Sequence, residues 1–470
     1  RLENAETIVS FGADFLGDFH GGFEKAYVAG RKPESGKMSY HVQVESNMSL
    51  TGANADKRIV AKPSDVVFAL LNLYNEITGE SIASGSTPID GEIKKLAKAL
   101  KKAGSKGVVM TGVNDKNAQL ISLAINNALS SEILDSKNSL NIRQGNFEEV
   151  QNVISDMESG KVGGIFTVNV DPSYSLPNAA EFTEALTKVD LKVALSVENS
   201  ETVAAMEYAL PAPHFLESWG DTQFSEGNYG LIQPTIQPLF KTRQIQDTLL
   251  KWSGSSTSYY DYLKSFWSTE VLDGSSWNKA LHNGFYNKTI SENRNTISEI
   301  SISEVASTLK KSTATSGMEL NLYIKTGLGD GKQANNPWLQ EFPDPITRAS
   351  WDNYLTMSMA DARELGFSNP VKDNGAIDGD YAKVSANGKE VVVPVMVQPG
   401  QANGSVGLAL GFGKTFGLKE EMQVGVNAYP LYEGGNNIQY NVKIDKVAGT
   451  HQFACTQVQK TIAGRHDILK

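Results

Sequence analysis

Two hydrophobic rhythms follow one another along this chain, and their order limits its fold more than any other feature. From Glu6 to Val197, short apolar strands alternate with segments whose apolar residues recur every three or four positions. That alternation is the signature of a parallel sheet flanked by helices. Glu6 to Phe11 reads as a first strand running into the loop Gly12-Ala13-Asp14-Phe15-Leu16-Gly17. Val67, Leu70, Leu71, Tyr74 and Ile77 share one face of a helix, with Ser64 as its expected N-cap and Gly79 as its stop. Ile93, Leu96 and Leu100 line a second helix that Gly104 ends. After the strand Val108–Met110, Ile121, Ala124, Ile125, Ala128 and Leu129 line a third. A further round gives a helix with Phe147, Val150, Ile154 and Met157, the strand Gly164–Val170 and a turn at Asp171-Pro172. A helix with Phe182, Leu186 and Val189 and the strand Leu191–Val197 complete it. Right-handed crossovers between such strands gather loops at their carboxyl ends, where doubly wound sheets take ligands.

The second rhythm is that of a β-structure. Ala382, Val384 and Ala386 alternate with polar neighbours, Asn387-Gly388 supplies a type I′ hairpin signal, and the apolar run Val391–Val397 returns. With Gly407–Gly411 and Asn441–Val447, about six short strands suit a small barrel. Between the two rhythms, Ser, Thr and Asn clusters interrupt short aromatic helices around Tyr259, Phe266, Trp267 and Trp277. The expected division is an α/β region over 1–250, an irregular Ser/Thr-rich connector over 251–317, a β-barrel over 318–447 and an extended tail over 448–470.

Composition removes several functions. Forty-three Lys and Arg against 53 Asp and Glu leave a net charge of −10 over 470 residues, which argues against binding nucleic-acid phosphates. No apolar run approaches the roughly 20 residues that cross a bilayer. Cys455 is the single cysteine, so the chain by itself builds no disulfide, thiolate zinc site or cysteine-ligated iron–sulfur cluster. The chain opens at Arg1 with neither Met nor a signal peptide and reads as a processed or partial polypeptide whose targeting information is missing.

Complete catalytic motifs are lacking. Gly411-Phe412-Gly413-Lys414-Thr415 imitates the end of a Walker A loop, but the pattern requires glycine where Leu408 stands, and a barrel strand precedes it. A β-turn is the simpler reading. No G-x-G-x-x-G or G-x-S-x-G is present. The histidines His20, His41, His214, His282, His451 and His466 are scattered without H-x-x-x-H spacing. His214 alone sits in a dense polar stretch, Pro213-His214-Phe215-Leu216-Glu217-Ser218-Trp219-Gly220-Asp221. There Glu217 and Asp221 are either an acid–base pair or an i,i+4 pair on a solvated turn. Cys455, with only His451 near it in sequence, reads as a packing thiol.

Several stretches together resemble the molybdopterin-dependent oxidoreductases. Ile8–Asp14 and Ala55–Pro63 resemble that family's strand–loop and A-D-x-x-x-x-x-(R/K)-P-G segments. Phe166–Pro172 resembles its strand ending in Asn-Pro, and Thr202–Gly220 its E-T-A-x-x-A-D-x-x-L-P stretch. Asn335–Glu341 and Tyr381–Pro399 resemble its C-terminal, molybdopterin-dinucleotide-binding barrel. More narrowly, Asn336–Glu341 with Trp351-Asp352-Asn353, and Ser49–Asp56, resemble the large iron–sulfur subunit of bacterial alternative complex III. In that subunit a molybdopterin-enzyme-like half is joined to a ferredoxin-like half.

The resemblance implies a doubly wound α/β body, an empty molybdopterin site and no catalytic, cofactor-binding or metal-ligating residue in this chain. Iron–sulfur clusters and haem c are implied in an adjoining ferredoxin-like domain, to which the tail with Phe453, Val458 and Ile462 would lead, and in partner subunits. Those partners would be integral membrane quinol-binding subunits and multihaem cytochromes c. The implied location is the periplasmic side of the bacterial inner membrane, reached by export in the folded state. Departures from the family pattern favour a vestigial site: Met206-Glu207 for Ala-Asp, Asp171-Pro172 for Asn-Pro, Pro63-Ser64 for Pro-Gly and Glu226-Gly227-Asn228 for Glu-Gly-Arg. The last removes an always-charged fork suited to anions. The alternatives are an active Mo/W bis-pterin oxidoreductase with His214 and Glu217 near the metal, and a soluble sugar- or nucleotide-binding protein.

Overall fold

The computed structural model describes residues 1–17, 22–135, 139–142, 145–289, 300–313, 316–373 and 376–456. His20, His466, Val458 and Ile462 lie outside them. Contacts divide the chain into two compact units, one made of Arg1–Leu134 with Ile297–Lys470 and the other of Asp135–Thr296. The first 250 residues are therefore shared between two bodies, each with its own parallel sheet.

In the first unit, β1 (Thr7–Phe11), β2 (Tyr40–Glu45), β3 (Lys57–Val60) and β4 (Gly107–Thr111) form a parallel sheet in the order β3-β2-β1-β4. Every residue of β1 is buried, which is why its sequence shows no alternation: a central parallel strand is covered on both faces. On one face Val9, Val42 and Val109 meet Leu70, Leu100 and Ile121 from the helices Pro63–Thr78, Asp90–Ala103 and Lys116–Ala128. Val305, Ala306 and Leu309 of the helix Ile302–Ser312 join the same core. On the other face Ile8 and Val108 pack with Phe15, Tyr27 and Ile133. Pro63 opens the long helix as its first residue and Gly79, at φ 80°, ends it. Ser64 is thus inside the helix and not its N-cap; its polar groups are used elsewhere.

In the second unit, β5 (Gly164–Val168), β6 (Leu191–Ser196) and β7 (Tyr208–Pro211) form a three-stranded parallel sheet. The helices Phe147–Glu158 and Ala179–Leu186 cover the Ile165 face through Ile154, Met157, Phe182 and Leu186. Register places Phe166, Val193 and Tyr208 side by side on the opposite face. There Phe166, Val168 and Tyr208 remain 45%, 37% and 50% exposed. A second sheet is antiparallel: β8 (Gly220–Ser225), β9 (Asn228–Ile232) and β10 (Phe285–Asn287), in the order β10-β9-β8.

The part of the Ser/Thr-rich stretch that lies in this unit is more ordered than its composition suggests. Tyr259, Leu263, Trp267 and Val271 recur every four residues and build, with Trp277, a buried aromatic core. Trp267 is fully buried with its Nε1 donating to Asp221 Oδ2 at 2.8 Å. Large aromatic faces outweigh the polar residues between them.

The closing part of the first unit is a six-stranded closed barrel of β11 (Met318–Tyr323), β12 (Leu355–Met357), β13 (Ile377–Ala386), β14 (Lys389–Val397), β15 (Ser405–Ala409) and β16 (Ile438–Phe453). The order is β11-β15-β12-β14-β13-β16. Asn387 (φ 52°) and Gly388 (φ 76°) make the two-residue turn between β13 and β14, as their sequence foretold. A bulge at Asp380/Tyr381 lets β16 continue alongside β13 to Phe453. The first residues of the expected tail therefore belong to the barrel wall.

The fully buried His41 on β2 yields a test of this packing. Its Nδ1 meets the Tyr27 hydroxyl at 3.0 Å, and burial, aided by Arg31, pulls its pKa down to about 4. An unfolded histidine titrates near 6.5, so between pH 6.5 and 4 the unfolded state binds more protons. Stability should be complete above pH 6.5 and fall by on the order of 3 kcal/mol as pH drops to 4. Urea midpoints at several pH values should show this loss, and His41→Gln should flatten it.

Candidate functional site

The strand order places a topological switch point between β1 and β4, because the chain moves outward through β2 and β3 and then returns to the far side of β1. Ligands of doubly wound sheets sit beyond the strand ends at such a point. Here the two exits close on each other. A Cβ on Gly112 would lie 2.2 Å from the Gly12 carbonyl oxygen, so the backbones leaving β1 and β4 touch where a crevice would open. Ser10 Oγ donates to the Ala13 carbonyl at 3.1 Å and accepts from its N–H at 3.2 Å.

Beside this point, the ends of β2 and β3 carry a buried polar network. Glu45 accepts from Ser49 N at 3.1 Å, Ser49 Oγ at 2.6 Å, Gln43 Nε2 at 3.1 Å and Arg58 Nε at 2.5 Å. Arg58 also donates through Nη1 to the Gly400 carbonyl at 2.6 Å, tying the sheet to the loop between β14 and β15. Asn47 reaches the same loop and the barrel: its Nδ2 donates to Thr356 Oγ1 at 3.3 Å, and its Oδ1 accepts from Gln401 Nε2 at 3.0 Å. After β3, the carboxylate of Glu319, wholly buried on β11, accepts from Ser64 N at 2.7 Å and Ser64 Oγ at 2.5 Å. Lys62 Nζ lies 3.0 Å from it. A helix N-terminus that favours anions is thus occupied by the chain's own carboxylate. Two buried atoms here, Gln43 Oε1 and Arg58 Nη2, have no partner among the described residues.

One hydrogen-bond pattern recurs in both units. Asp14, three residues beyond β1, accepts from Thr51 N at 2.9 Å and Thr51 Oγ1 at 2.7 Å, and Leu16 N donates to Thr51 Oγ1 at 2.9 Å. Asp171, three residues beyond β5, accepts from Thr202 N at 2.9 Å and Thr202 Oγ1 at 2.7 Å, and Ser173 N donates to Thr202 Oγ1 at 2.9 Å. Ser49 and Ser200 cap the two short helices through Gly52 N and Val203 N. In each unit the first N–H groups of a helix at the carboxyl edge are taken by an aspartate and a serine of the chain. The signal was present in sequence as Ser49-Leu50-Thr51 and Ser200-Glu201-Thr202, but only the fold shows which aspartates they meet.

The residues singled out from sequence do not converge. His214 caps a short 3₁₀ turn, its Nδ1 accepting from Leu216 N at 3.3 Å. Glu217 closes that turn by accepting from His214 N at 3.1 Å and receives Leu239 N at 3.2 Å, whereas Asp221 holds Trp267. The two carboxylates serve different structural partners. Gly227, at φ 74°, forms the β8–β9 turn, and Asn228 Nδ2 donates to Ser225 Oγ at 2.7 Å. Gly411 and Gly413 are close-approach positions: a Cβ on Gly411 would lie 2.3 Å from the Gly329 carbonyl and one on Gly413 2.1 Å from Asn427 N, and no α-helix opens after Thr415. Cys455 packs against a cluster that includes Tyr354 and Phe453, and His451 Nε2 is held by Asp352 Oδ2 at 2.7 Å. Among the described residues no group of three or more His, Cys, Asp or Glu is placed to hold a metal ion.

Removing the Glu319 carboxylate should be costly, since Lys62 and the polar groups of Ser64 would lose their partner. Glu319→Ala is expected to destabilise the chain by roughly 3–5 kcal/mol in urea denaturation. A loss below about 1 kcal/mol, the range of exposed pairs, would show that the clamp does not hold barrel and sheet together.

No family model matches the chain. A curated protein from Nitratidesulfovibrio vulgaris, named menaquinone reductase, molybdopterin-binding-like subunit, is 24% identical over 274 residues. The match covers 56% of this chain and 38% of that protein, well under half of the relative's length. Among solved structures, acetylene hydratase from Pelobacter acetylenicus superposes with a TM-score of 0.60 at 12% identity. That superposition covers 95% of this chain and 78% of the hydratase chain. The fold, parallel α/β layers with a closed six-stranded barrel, is that of acetylene hydratase.

Proposed function

We propose that this chain is a cofactor-free scaffold part of a membrane-associated quinone/quinol oxidoreductase, holding neighbours that carry iron–sulfur clusters and c-type haems at fixed spacing. The observation that supports it most is how the polar groups at the carboxyl edges of the sheets are used. A pterin cofactor with its phosphates needs cations and N–H groups converging on open space. Here Glu45 holds Arg58, Glu319 holds Lys62 and Ser64, and Asp14 and Asp171 take the N–H groups of Thr51 and Thr202. The unpartnered Gln43 Oε1 and Arg58 Nη2 offer one acceptor and one donor group, which suits a water better than a diphosphate. This use of the edge groups supports a body without the family's cofactor.

The relative's name, a molybdopterin-binding-like subunit of a menaquinone reductase, supports a subunit role in quinone-linked electron transfer. It names quinone reduction, whereas the resemblance to alternative complex III implied quinol oxidation, so the proposal is for quinone/quinol chemistry without a direction. No helix among the described residues is long and apolar enough to cross a membrane, which agrees with peripheral attachment, and the periplasmic side follows from the alternative complex III resemblance. The exposed Phe166–Val168–Tyr208 face supports docking, because parallel sheets are ordinarily covered on both sides.

Affinity purification of the tagged chain from detergent-solubilised membranes tests the proposal. It should bring down iron–sulfur and haem c proteins together with quinone-dependent electron transfer. Recovery of the chain alone from the soluble fraction would overturn it.

A further inference from the structure

The helix Asp90–Ala103 carries a charge pattern that its packing does not require. Its apolar residues Ile93, Leu96, Ala97 and Leu100 are buried in the core of the first unit. Its exposed positions are Gly91, Lys94, Lys95, Lys98, Lys101 and Lys102. Five lysines thus form the outer face of one helix, in a chain whose acids outnumber its bases by 53 to 43. At the helical rise, Lys94 to Lys102 spans about 12 Å.

Little within the unit neutralises this face. Glu92 binds Lys95 at 2.8 Å and also Lys57, the first residue of β3. Asp90, the other acid of the helix, accepts from Thr87 N, Thr87 Oγ1 and Asn72 Nδ2. At the opposite end Glu6 is bound by Lys106 at 2.9 Å, and that bond, helped by the charges of Lys37 and Lys102, holds its carboxyl below its ordinary value. Lys94, Lys98 and Lys101 have no ion pair among the described residues. Cations suit the last turn of a helix, which accounts for Lys101 and Lys102 but not for Lys94 and Lys98. Lys98 stands four residues from Lys94 and Lys102 and three from Lys95 and Lys101, spacings at which like charges repel and weaken a helix. A face built only for solvation mixes the two signs, whereas this one concentrates a single sign at a cost.

The chemistry of the face selects its occupant. Specific protein interfaces centre on aromatic residues and arginine and are poor in lysine, and this helix offers no aromatic residue and no arginine. Ammonium groups on long flexible stems suit a diffuse field of negative charge better than a single forked carboxylate. The apolar side of the helix is committed to the core, so the contact works by surface charge and not by insertion. We propose that the lysine face of the helix Asp90–Ala103 docks this chain on the anionic phospholipid headgroups of a membrane, with the helix lying parallel to the surface. The inference rests on the membrane-associated reading above and names the surface that makes the contact. In a chain of net charge −10, a concentrated basic face also orients the molecule against an anionic surface.

The test is sedimentation of the purified full chain with vesicles, free of any partner subunit. Vesicles of phosphatidylcholine containing phosphatidylglycerol should bind it in low salt, vesicles of phosphatidylcholine alone should not, and about 0.5 M salt should release it. The triple variant Lys94→Gln/Lys98→Gln/Lys101→Gln should partition about a hundredfold more weakly, at about fivefold for each lysine near an anionic surface. It should stay folded, since the helix loses only repulsion, and circular dichroism checks this. Lys251→Gln/Lys264→Gln/Lys279→Gln, at three exposed positions of the second unit, changes the net charge equally and should weaken binding by less than about fivefold. Absence of binding to anionic vesicles, or equal weakening by the two triple variants, would overturn the proposal. So would carbodiimide cross-linking of native membranes that joins Lys98 to carboxylates of another protein, since the face would then belong to an acidic partner. A failed vesicle experiment leaves the subunit reading standing, because co-purification with redox partners is measured separately.

Discussion

A single buried carboxylate joins the two kinds of structure in the first unit. Glu319 leaves barrel strand β11 and enters the first turn of the helix Pro63–Thr78, where it meets Ser64 and Lys62. The helix carries the core of the parallel sheet, so its start fixes where the barrel rests against the ends of β2 and β3. Arg58 with Gly400, and Asn47 with Gln401 and Thr356, continue the same seam. A desolvated carboxylate is stable here only because its oxygens receive charge-assisted hydrogen bonds, and those bonds also remove the helix N-terminus as a site for any outside anion. Cohesion and the filling of a helix N-terminus are then two consequences of one contact.

Much of the fold was legible because it is local. Helical faces such as Val67-Leu70-Leu71-Tyr74, the Gly79 stop and the Asn387-Gly388 turn depend on neighbours a few residues away, and the structure keeps each of them. What was not legible depends on distant partners. Ser64 has the composition of an N-cap, but its partner stands 255 residues further on, and Pro63 takes the position that would have made it one. The Ser/Thr-rich stretch concealed its order for a different reason: four-residue spacing of Tyr259, Leu263, Trp267 and Val271 is easily lost among polar residues, though all four are buried in one core.

The candidate site was less legible than the fold. His214, Glu217 and Asp221 stand close in sequence and suggested acid–base chemistry, yet a 3₁₀ turn followed by a strand sends each to its own structural task. The Asp–Thr clasps appear only when strands far apart in sequence are laid side by side. Their recurrence in both units shows one local solution used twice: a strand exit, an aspartate three residues on, and a short helix whose Ser-x-Thr start closes the edge. Fold likeness at 12% identity carries architecture and no chemistry, so the functional reading rests on these contacts.

The central claim is that the body is a molybdopterin-enzyme fold without the cofactor. It is tested most directly by elemental analysis of the purified native assembly for Mo, W and Fe, combined with fluorescence assay of oxidised, extracted pterin. The account predicts iron with neither molybdenum, tungsten nor pterin. Stoichiometric molybdenum or tungsten together with pterin would contradict it.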